Sequence, residues 1–380
     1  MKIGIIALSL NKTATPGYYN SQELGLGKAL AAQKHSVTVY KLISKKVLSA
    51  SQTESLSDNL QYVQFPASAL GINGFFPKKY LDASMDVLIC FSDTQPYTTS
   101  VAKWCRKHDI TFYPYIGVIN SSSTNTLYKR VMDVLTKRLV RFYQKQPVVF
   151  AKTPAVTERL RTLGVVNVQL VPIGLDTTLL NQDYAHADRN SMKKEWGYES
   201  AERIMLFIGR LTPEKEPLEM IRIFANAYEK DSSLRLCMVG KGALQSEVES
   251  LCDELHIKEV TKMLPEVPNN QIWELYRIAD YFINLNHHEI YGMTILEAMY
   301  YECPVIANHA PGPDFIIGEL AVNPSAPVYL VDSNDEIVAQ VLTKHLQKNN
   351  HTELLHERIT ANFIWKKIIE QLMLNSKSLT

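Results

Sequence analysis

The chain of 380 residues lacks the features of a membrane-spanning, secreted or zinc-binding protein. No stretch approaches the roughly 18 apolar residues that a spanning helix needs, and residues 1–10 form a short apolar strand without the longer run of a signal peptide. The five cysteines form no CxxC pair and are odd in number, which argues against a disulfide scaffold and a zinc module. We therefore predict a cytoplasmic protein whose cysteines are buried free thiols.

Motifs for nicotinamide and flavin cofactors are also missing. No GxGxxG sequence follows either of the predicted strands that open the two halves of the chain. The histidines are scattered, and the adjacent His287, His288 and Glu289 lie at a strand end, where neighbouring side chains point to opposite sides. The sequence therefore predicts neither a redox cofactor nor a metal site.

Charge is nearly balanced over the whole chain but not between its halves. The formal net charge is +1, yet residues 1–175 contain 21 Lys and Arg against 9 Asp and Glu, and residues 176–380 contain 19 against 30. This asymmetry indicates that the first half meets an anionic partner. Anionic lipid and a phosphate-bearing substrate both fit, whereas the near-neutral total and the lack of a recognition motif argue against nucleic acid.

Apolar runs alternate with amphipathic segments from end to end, which is typical of an α/β protein with parallel sheets. With 46% hydrophobic residues and a length that suits two domains, the chain can bury two cores. The predicted strands are 2–8, 36–42, 86–91, 110–116 and 148–152 in the first half and 204–209, 234–240, 281–286 and 304–307 in the second. The predicted helices include one from about Asn20 and those at 217–229, 244–255, 271–279 and 295–301.

The polar stretch from Ile173 to about Gly197 has the irregular character of a connection between domains. Residues 66–85 and 117–126, rich in Gly, Ser, Thr and Asn, are predicted as long loops. Two doubly wound domains then face one another, and the cleft between their strand ends is the expected ligand site. The predicted domains are 1–175, joined by a C-terminal helix at about 360–380, and 176–360.

A cationic loop follows the first strand of the second domain and precedes a helix. It presents a helix N-terminus and the side chains of Arg210 and Lys215, an arrangement that suits a diphosphate. The alternative is a solvated loop in which the two cations pair with Glu214 or Glu216.

Two glycines close the next predicted strand. Gly240 and Gly242 leave room for a ligand to approach the backbone. They equally suit a tight turn from strand to helix, which needs no ligand.

Two carboxylates flank the start of another predicted helix. Glu289 lies in a loop that contains Gly292, and Glu297 follows in the first helical turn. Carboxylates so placed can accept hydrogen bonds from vicinal sugar hydroxyls, while free backbone amides between them face an anion. Alternatively, Glu289 is an exposed loop acid, and Thr294 and Glu297 form a capping box that needs no ligand.

Taken together, these segments resemble the retaining glycosyltransferases of family 4. The similarity runs from about residue 204 to 317, with a weaker match over 153–176. The resemblance implies an α/β protein of GT-B architecture, with two Rossmann-like domains facing a cleft and a nucleotide-sugar held mainly by the second. The motifs are Gly209-Arg210-Leu211-x3-Lys215, Val239-Gly240-x-Gly242, Glu289-x7-Glu297 and Pro304-Val305-Ile306-Ala307.

The same resemblance implies roles for individual residues. Arg210 and Lys215 would bind the donor diphosphate and, with Glu289, carry the catalysis. Glu289 would also hold the donor sugar, and Glu297 the ribose. No metal or cofactor is expected, because cations can stabilise the charge on the leaving phosphate. The residues implied at the donor site are Gly17, Arg210, Lys215, Glu289, Gly292, Met293, Thr294 and Glu297.

Two positions depart from the family pattern. Many relatives carry a histidine after a strand like that at 110–115, whereas residues 113–117 here contain none. Relatives also usually have glycine where this chain has Glu302. The first departure bears on the acceptor-side chemistry and the second on the identity of the donor sugar.

Residues 126–147 combine an apolar helix face with six basic residues against Asp133. That is the form of a helix lying on an anionic membrane, where each Lys or Arg adds about 1 kcal/mol. The alternative is that the apolar face packs on the domain's own sheet while the cations are solvated. The apolar positions are Leu127, Tyr128, Val131, Met132, Leu135, Leu139 and Phe142, and the bordering cations are Arg130, Lys137, Arg138, Arg141 and Lys145.

We therefore expect a cytoplasmic glycosyltransferase that is peripheral at the inner face of the membrane. It would move a hexosyl unit, with retention, from a nucleotide-sugar to a membrane-associated glycan or lipid-linked acceptor, and family resemblance favours a UDP-sugar. Two alternatives remain open. One is a non-catalytic partner subunit that binds sugar nucleotides, which the missing histidine motivates, and the other is a nucleotide-sugar epimerase of similar fold.

Overall fold

The chain forms two compact units in the computed structural model. The first unit begins at Met1, contains Ser21–Gly174 and takes up the chain again from Trp365, whereas the second is Leu175–Ile364. The C-terminal helix therefore belongs to the same unit as the N-terminal strand. The structure describes residues 1–10, 21–71, 73–118, 126–343 and 351–375.

The first unit is built on one largely parallel sheet. Its strands are β1 (Lys2–Ala7), β2 (Ser36–Ser44), β3 (Gln52–Ser57), β4 (Leu60–Leu70), β5 (Asn73–Phe75), β6 (Val87–Phe91), β7 (Thr111–Ile116), β8 (Val149–Ala151) and β9 (Val168–Leu170). Its helices are α1 (Gln22–Ala32), α2 (Thr98–Lys107), α3 (Thr126–Tyr143) and α4 (Pro154–Thr162).

Within the described residues, this sheet has nine strands in the order β3-β4-β2-β1-β6-β7-β8-β9, and β5 pairs with β4. All pairs are parallel except those of β3 and β5 with β4. Strand β6 is buried along its whole length and carries the apolar sequence VLICF, as a central strand covered by helices on both faces requires. The order of the strands reverses between β1 and β6.

The second unit repeats this design with its own core. Its strands are β10 (Arg203–Ile208), β11 (Leu234–Val239), β12 (Thr261–Leu264), β13 (Tyr281–Asn284), β14 (Val305–Asn308) and β15 (Val328–Val331). Its helices are α5 (Arg189–Glu195), α6 (Pro217–Lys230), α7 (Gln245–Glu254), α8 (Ile272–Ile278), α9 (Met293–Tyr300), α10 (Pro311–Ile317), α11 (Asn334–Leu342) and α12 (Glu353–Asn362). The chain then returns to the first unit with α13 (Trp365–Asn375).

The sheet of the second unit has the order β12-β11-β10-β13-β14-β15 and is parallel in every pair among the described residues. Helix α6 packs against this sheet through Met220, Ile221 and Phe224, which are fully buried. The strand order reverses between β10 and β13, so the loops that follow these two strands leave the sheet side by side. The predicted α/β class with two Rossmann-like domains is confirmed.

The stretch predicted as a long loop at 66–85 is partly strand. Strand β4 runs to Leu70, β5 pairs with it, and a short 3₁₀ turn follows at Lys78–Tyr80. Strand β3 has the sequence QTESLS and is exposed at every residue, so it lacks the alternation of apolar and polar residues that would reveal a strand. Residues 52–57 therefore form a strand because they pair with β4, and not because of an apolar pattern of their own.

The prediction that 173–197 is an irregular connection between domains is wrong, because much of this stretch folds as part of the second unit. It contains 3₁₀ turns at Thr177–Leu179 and Tyr184–His186 and the helix α5. The first helix also begins later than predicted. It starts at Gln22, and the hydroxyl of Ser21 accepts the hydrogen bond from Leu24 N that caps it.

Candidate functional site

The strongest candidate site lies where the strand order of the second unit reverses. The loop after β10 runs from Gly209 to the start of α6, and the loop after β13 runs from Leu285 to the start of α9. Ligands of doubly wound sheets bind at the carboxyl ends of the strands at such a reversal. Four of the eight predicted donor-site residues, Arg210, Lys215, Glu289 and Gly292, lie on these two loops.

Lys215 and Glu289 meet across these loops. The ammonium group of Lys215 and Oε2 of Glu289 form a short ion pair, although the residues lie 74 positions apart in the chain. The side chains are only 25% and 14% exposed, so water screens this pair less than a surface pair. The alternative partners of Lys215 considered above, Glu214 and Glu216, are therefore wrong.

The loop around Glu289 is fixed by further hydrogen bonds. Asn286 Nδ2 donates to Glu289 Oε2 at 3.2 Å, and the Asn286 side-chain oxygen accepts from His288 N at 2.9 Å. The amide of Gly312 donates to the Glu289 carbonyl at 2.9 Å, and a Cβ at Gly312 would lie 2.2 Å from the Tyr291 carbonyl oxygen. These contacts hold the carboxylate in place before any ligand binds.

Asn286 is a residue that the sequence analysis missed. It belongs to a set of asparagines, Asn284, Asn286 and Asn308, at the ends of two neighbouring strands, and all three are buried. Asn308 Nδ2 donates to the Leu285 carbonyl at 2.8 Å. The signal in the sequence was the presence of three asparagines at or just after the ends of apolar strands, because amides that become buried there must find hydrogen-bond partners.

Arg210 does not join the pair. Its side chain is 69% exposed and binds Glu214 at 2.9 Å, as in the solvated-loop alternative. Burial raises the pKa of Glu214, but a hydrogen bond from its own amide and the charges of Arg210 and Lys215 outweigh it and hold that pKa below its usual value. Of the two predicted cations, only Lys215 contacts Glu289.

Gly240 and Gly242 lie where two backbone segments approach each other closely. A Cβ at Gly240 would lie 1.8 Å from the Gly209 carbonyl oxygen, and one at Gly242 would lie 2.2 Å from the Leu211 carbonyl oxygen. The φ angle of Gly240 is +148°, which side-chain-bearing residues rarely adopt. The two glycines therefore let the loop after β11 pack closely on the loop after β10, a contact that needs no ligand.

Helix α9 begins beside Glu289. Gly292 is its N-cap, with a φ angle of +94°, and Met293 is its first residue. No protein acceptor is found within the described part of the chain for the amides of Met293 and Thr294, which lie in the first turn. Such amides and the positive end of the helix dipole favour an anion. Thr294 is inside the helix, so the capping-box alternative is wrong.

Glu297 faces a buried tyrosine. The hydroxyl of Tyr276 donates to Glu297 Oε2 at 3.0 Å. Burial and then the charge of Glu297 raise the pKa of Tyr276 well above its usual value, so this hydroxyl stays protonated and acts as a donor. Tyr276 stacks on Tyr301 at 6.1 Å between ring centroids, which fixes the ring.

Glu302 takes a conformation that normally favours glycine. Its φ angle is +60°. The carboxylate pairs with Arg277 at 3.1 Å and accepts from the Tyr184 hydroxyl at 3.2 Å. These interactions offset the strain of a left-handed glutamate, and they explain why this chain tolerates the residue.

Gly17 lies outside the described residues, as does most of the predicted loop at 117–126. Residues 113–117 are described and form the end of β7 and the turn after it. In the described part of the chain, no group of three His, Cys, Asp or Glu side chains is arranged as a metal site would require. All five cysteines are buried and unpaired, as predicted.

The C-terminal part of helix α3, whose side chains the structure describes, packs against the protein. Leu139, Val140 and Tyr143 are buried in a cluster with residues of β8 and α4. The packing alternative therefore holds for the part of this face whose side chains are described. The cations Lys137, Arg138, Arg141 and Lys145 are exposed. No helix in the described ranges is both long and apolar enough to cross a bilayer.

Part of the chain is similar in sequence to known proteins. Residues 188–361 match the family described as glycosyl transferases group 1. D-inositol 3-phosphate glycosyltransferase of Nocardia farcinica is 30% identical over 152 residues, which cover 38% of this chain and 33% of the relative. Alpha-monoglucosyldiacylglycerol synthase of Acholeplasma laidlawii is 21% identical over 181 residues, covering 47% and 44%. The chain thus spans about a third to a half of these curated relatives.

Solved structures resemble the chain over its full length. Sucrose-phosphate synthase from Thermosynechococcus elongatus aligns with a TM-score of 0.77 at 16% identity, covering 100% of this chain and 98% of that one. Anabaena HepE in complex with UDP and glucose aligns with a TM-score of 0.70 at 16% identity, covering 98% of both chains. These likenesses show the fold, which is that of GT-B transferases. Residues 188–361 of the chain therefore resemble the group 1 glycosyltransferases, and the resemblance to glycosyltransferases of family 4 that the motifs predict is confirmed.

Proposed function

We propose that this protein is a retaining hexosyltransferase that uses a nucleotide-sugar, with a UDP-sugar favoured. The observation that carries the proposal is the Lys215–Glu289 pair at the strand-order reversal of the second unit, beside the open amides of α9. A cation and amides suit a diphosphate, and a fixed carboxylate suits sugar hydroxyls. HepE, a structural neighbour, has been crystallised with UDP and with UDP-glucose, which favours uridine.

On donor binding, Lys215 and Glu289 would each replace the other with a group of the donor. In the free protein Lys215 neutralises Glu289. A bound donor would bring its diphosphate to Lys215 and its sugar hydroxyls to Glu289, so each half-buried charge keeps a partner. Glu289 Oε1, which has no protein partner in the described ranges, is available for such a hydroxyl from the start.

The transfer step needs stabilisation of negative charge. The bond between the anomeric carbon and the phosphate oxygen breaks, and the electron pair leaves with the diphosphate. Lys215 and the first-turn amides of α9 stabilise that charge without a metal ion. The acceptor hydroxyl attacks from the same face and passes its proton to the leaving phosphate, so the configuration is retained and no protein nucleophile is needed.

The acceptor is proposed to be a membrane-associated glycan or lipid. Among the relatives, alpha-monoglucosyldiacylglycerol synthase is named for a lipid product, and WaaG is described as involved in lipopolysaccharide biosynthesis. The exposed cations of α3 suit an anionic membrane surface. Because Leu139 and Val140 are used in the core, this helix would bind by charge and not by inserting its apolar face.

Charge reversal on α3 tests the membrane contact. The double variant Arg138→Glu, Arg141→Glu is expected to lower binding to vesicles of anionic lipid by about tenfold or more at low salt, because each basic residue at such a surface contributes about 1 kcal/mol. Co-sedimentation measures the bound fraction. The matched control reverses two exposed lysines of the second unit, Lys194→Glu and Lys230→Glu. Equal binding by both double variants would contradict the membrane contact at α3.

Tyr276 is expected to set donor affinity through Glu297. The change Tyr276→Phe removes the hydroxyl that donates to Glu297, and hydrogen bonds to charged groups contribute about 1.5–3 kcal/mol. The donor KM should rise about tenfold while kcat changes little. Tyr301→Phe is the control, because its hydroxyl accepts from Asn181 N and not from the site. Equal KM values for the two variants would contradict this role of Tyr276.

Product analysis separates the proposal from its alternatives. UDP-glucose labelled in the sugar is incubated with the protein, once alone and once with a membrane lipid extract. A transferase moves label into the extract, with an α linkage if configuration is retained. Conversion of the donor without extract would indicate an epimerase. Binding of UDP with no conversion in either arm would favour a non-catalytic subunit.

A further inference from the structure

The sheet of the first unit carries a cation at its carboxyl edge that the donor site does not explain. Lys152 directly follows β8, and its amide donates to the Ile116 carbonyl at 3.0 Å. The side chain is half-buried, yet no carboxylate lies within ion-pairing distance among the described residues. Its ammonium group lies 5.3 Å from the ring centroid of Phe91 and 5.9 Å from that of Tyr115.

The neighbouring backbone leaves room for this side chain. A Cβ at Gly117 would lie 2.6 Å from Lys152 Cδ and 3.0 Å from its Nζ, so a larger residue would displace the lysine. Asp93 follows the adjacent strand β6, and its Oδ1 accepts from Gly117 N at 2.5 Å and from Val118 N at 3.0 Å. The carboxyl ends of β6, β7 and β8 thus present a fixed carboxylate and a lysine on either side of Gly117.

We propose that Lys152 and Asp93 form a subsite for an anionic, hydroxyl-bearing part of the second substrate. This inference rests on the proposed function, because a transferase that binds its donor in the second unit needs a place for the acceptor. Carboxyl edges of doubly wound sheets are where such ligands bind. Lys152 supplies the charge that attracts a phosphate or carboxylate, and Asp93 accepts a hydrogen bond from a hydroxyl.

The charge of the first half of the chain fits such a substrate. Residues 1–175 carry 21 basic against 9 acidic residues, and an anion approaching this unit is attracted over a distance. The half-buried ammonium group of Lys152, which has no counter-charge among the described residues, loses hydration, and the faces of Phe91 and Tyr115 replace only part of it. An anionic ligand would compensate for the remaining loss of hydration.

The test measures thermal unfolding with small anions at constant ionic strength. Methyl phosphate and glucuronate are the probes, each titrated against the same concentration of chloride, with and without saturating UDP. We expect at least one of them to raise the unfolding temperature of the wild type. A response to methyl phosphate indicates a phosphate-bearing acceptor, and a response to glucuronate indicates an acidic sugar.

Lys152→Met is the decisive variant, because methionine keeps an unbranched stem of similar length and removes the charge. We expect it to fold normally and to lose the response to the anion. Lys107→Met removes an exposed lysine of the same unit and should keep the response. Gly117→Ala, which displaces the Lys152 side chain, should weaken it. An unchanged response in Lys152→Met, or no response of the wild type to either anion, would overturn the subsite.

The UDP arm keeps the two proposals apart. If UDP alone raises the unfolding temperature and the anions do nothing, the donor site stands and the subsite is wrong. If UDP has no effect but the anion response depends on Lys152, the subsite stands as an anion site and the proposed function loses its support.

Discussion

Glu289→Gln is expected to lower kcat/KM for sugar transfer by about a hundredfold or more, because two hydrogen bonds to a charged group at about 1.5–3 kcal/mol each are weakened in the transition state. Glutamine keeps the shape of the side chain but removes the charge to which the sugar hydroxyls donate their hydrogen bonds. Steady-state kinetics with labelled donor measure the effect. Glu289→Ala should abolish transfer.

The chain offers a matched control for this change. Glu202 forms an ion pair with Arg235 before β10, at the opposite edge of the same sheet, and those side chains are 16% and 24% exposed. The burial is nearly that of the Lys215–Glu289 pair. Glu202→Gln should cost similar stability but leave kcat/KM within a few-fold of wild type. If both variants lost activity equally, the effect would be one of stability and the site would be wrong.

Lys215→Met is expected to raise the donor KM and also to lower kcat, with a combined loss of about a hundredfold in kcat/KM. The KM effect reflects the lost charge-assisted bond to the diphosphate. The kcat effect reflects the larger charge that the diphosphate carries as it leaves. Donor kinetics at fixed acceptor concentration separate the two.

Two further variants are compared with Lys215→Met. Lys241→Met removes an exposed lysine paired with Glu266 on the loop after β11, and should change neither constant by more than a few-fold. Arg210→Met should have an intermediate effect, because Arg210 is exposed and pairs with Glu214 in the free protein. Unaltered kinetics in Lys215→Met would refute its contact with the diphosphate.

Much of the fold could be predicted because parallel strands that are buried on both faces appear in the sequence as apolar runs. The predicted strands 36–42, 86–91 and 234–240 lie within about two residues of β2, β6 and β11. The hairpin of β3 could not be predicted in this way. Its residues are all exposed, and only pairing with β4 orders them.

The site was predictable in its residue types but not in its pairings. Sequence reasoning selected Lys215 and Glu289, but their contact depends on β10 and β13 being neighbours, which the strand order decides. The alternative interpretations of these residues also came from short stretches of sequence. A Thr-x-x-Glu spacing suggests a capping box, but the glycine before the helix, Gly292, takes the N-cap position and leaves Thr294 inside.

The functions of the glycines also needed the structure. Gly240 and Gly242 suit either the approach of a ligand or a tight turn from strand to helix, and the spacing in the sequence is the same for both. The carbonyl oxygens of Gly209 and Leu211 lie where Cβ atoms at Gly240 and Gly242 would be, and this close contact between two loops is visible only in the structure. Asn286 was missed because a single asparagine after a strand is common, and its hydrogen bond to Glu289 becomes visible only in the folded chain.

Thermal unfolding with a panel of UDP, GDP, ADP and their common sugar conjugates tests the central claim most directly. A nucleotide at about a hundred times its dissociation constant adds roughly 2.7 kcal/mol of stability, enough for a shift of several degrees. We predict such a shift with one base, UDP being favoured, and its loss in Lys215→Met but not in Lys241→Met. If no nucleotide shifts the wild type, or if Lys215→Met responds as the wild type does, the proposed donor site is contradicted.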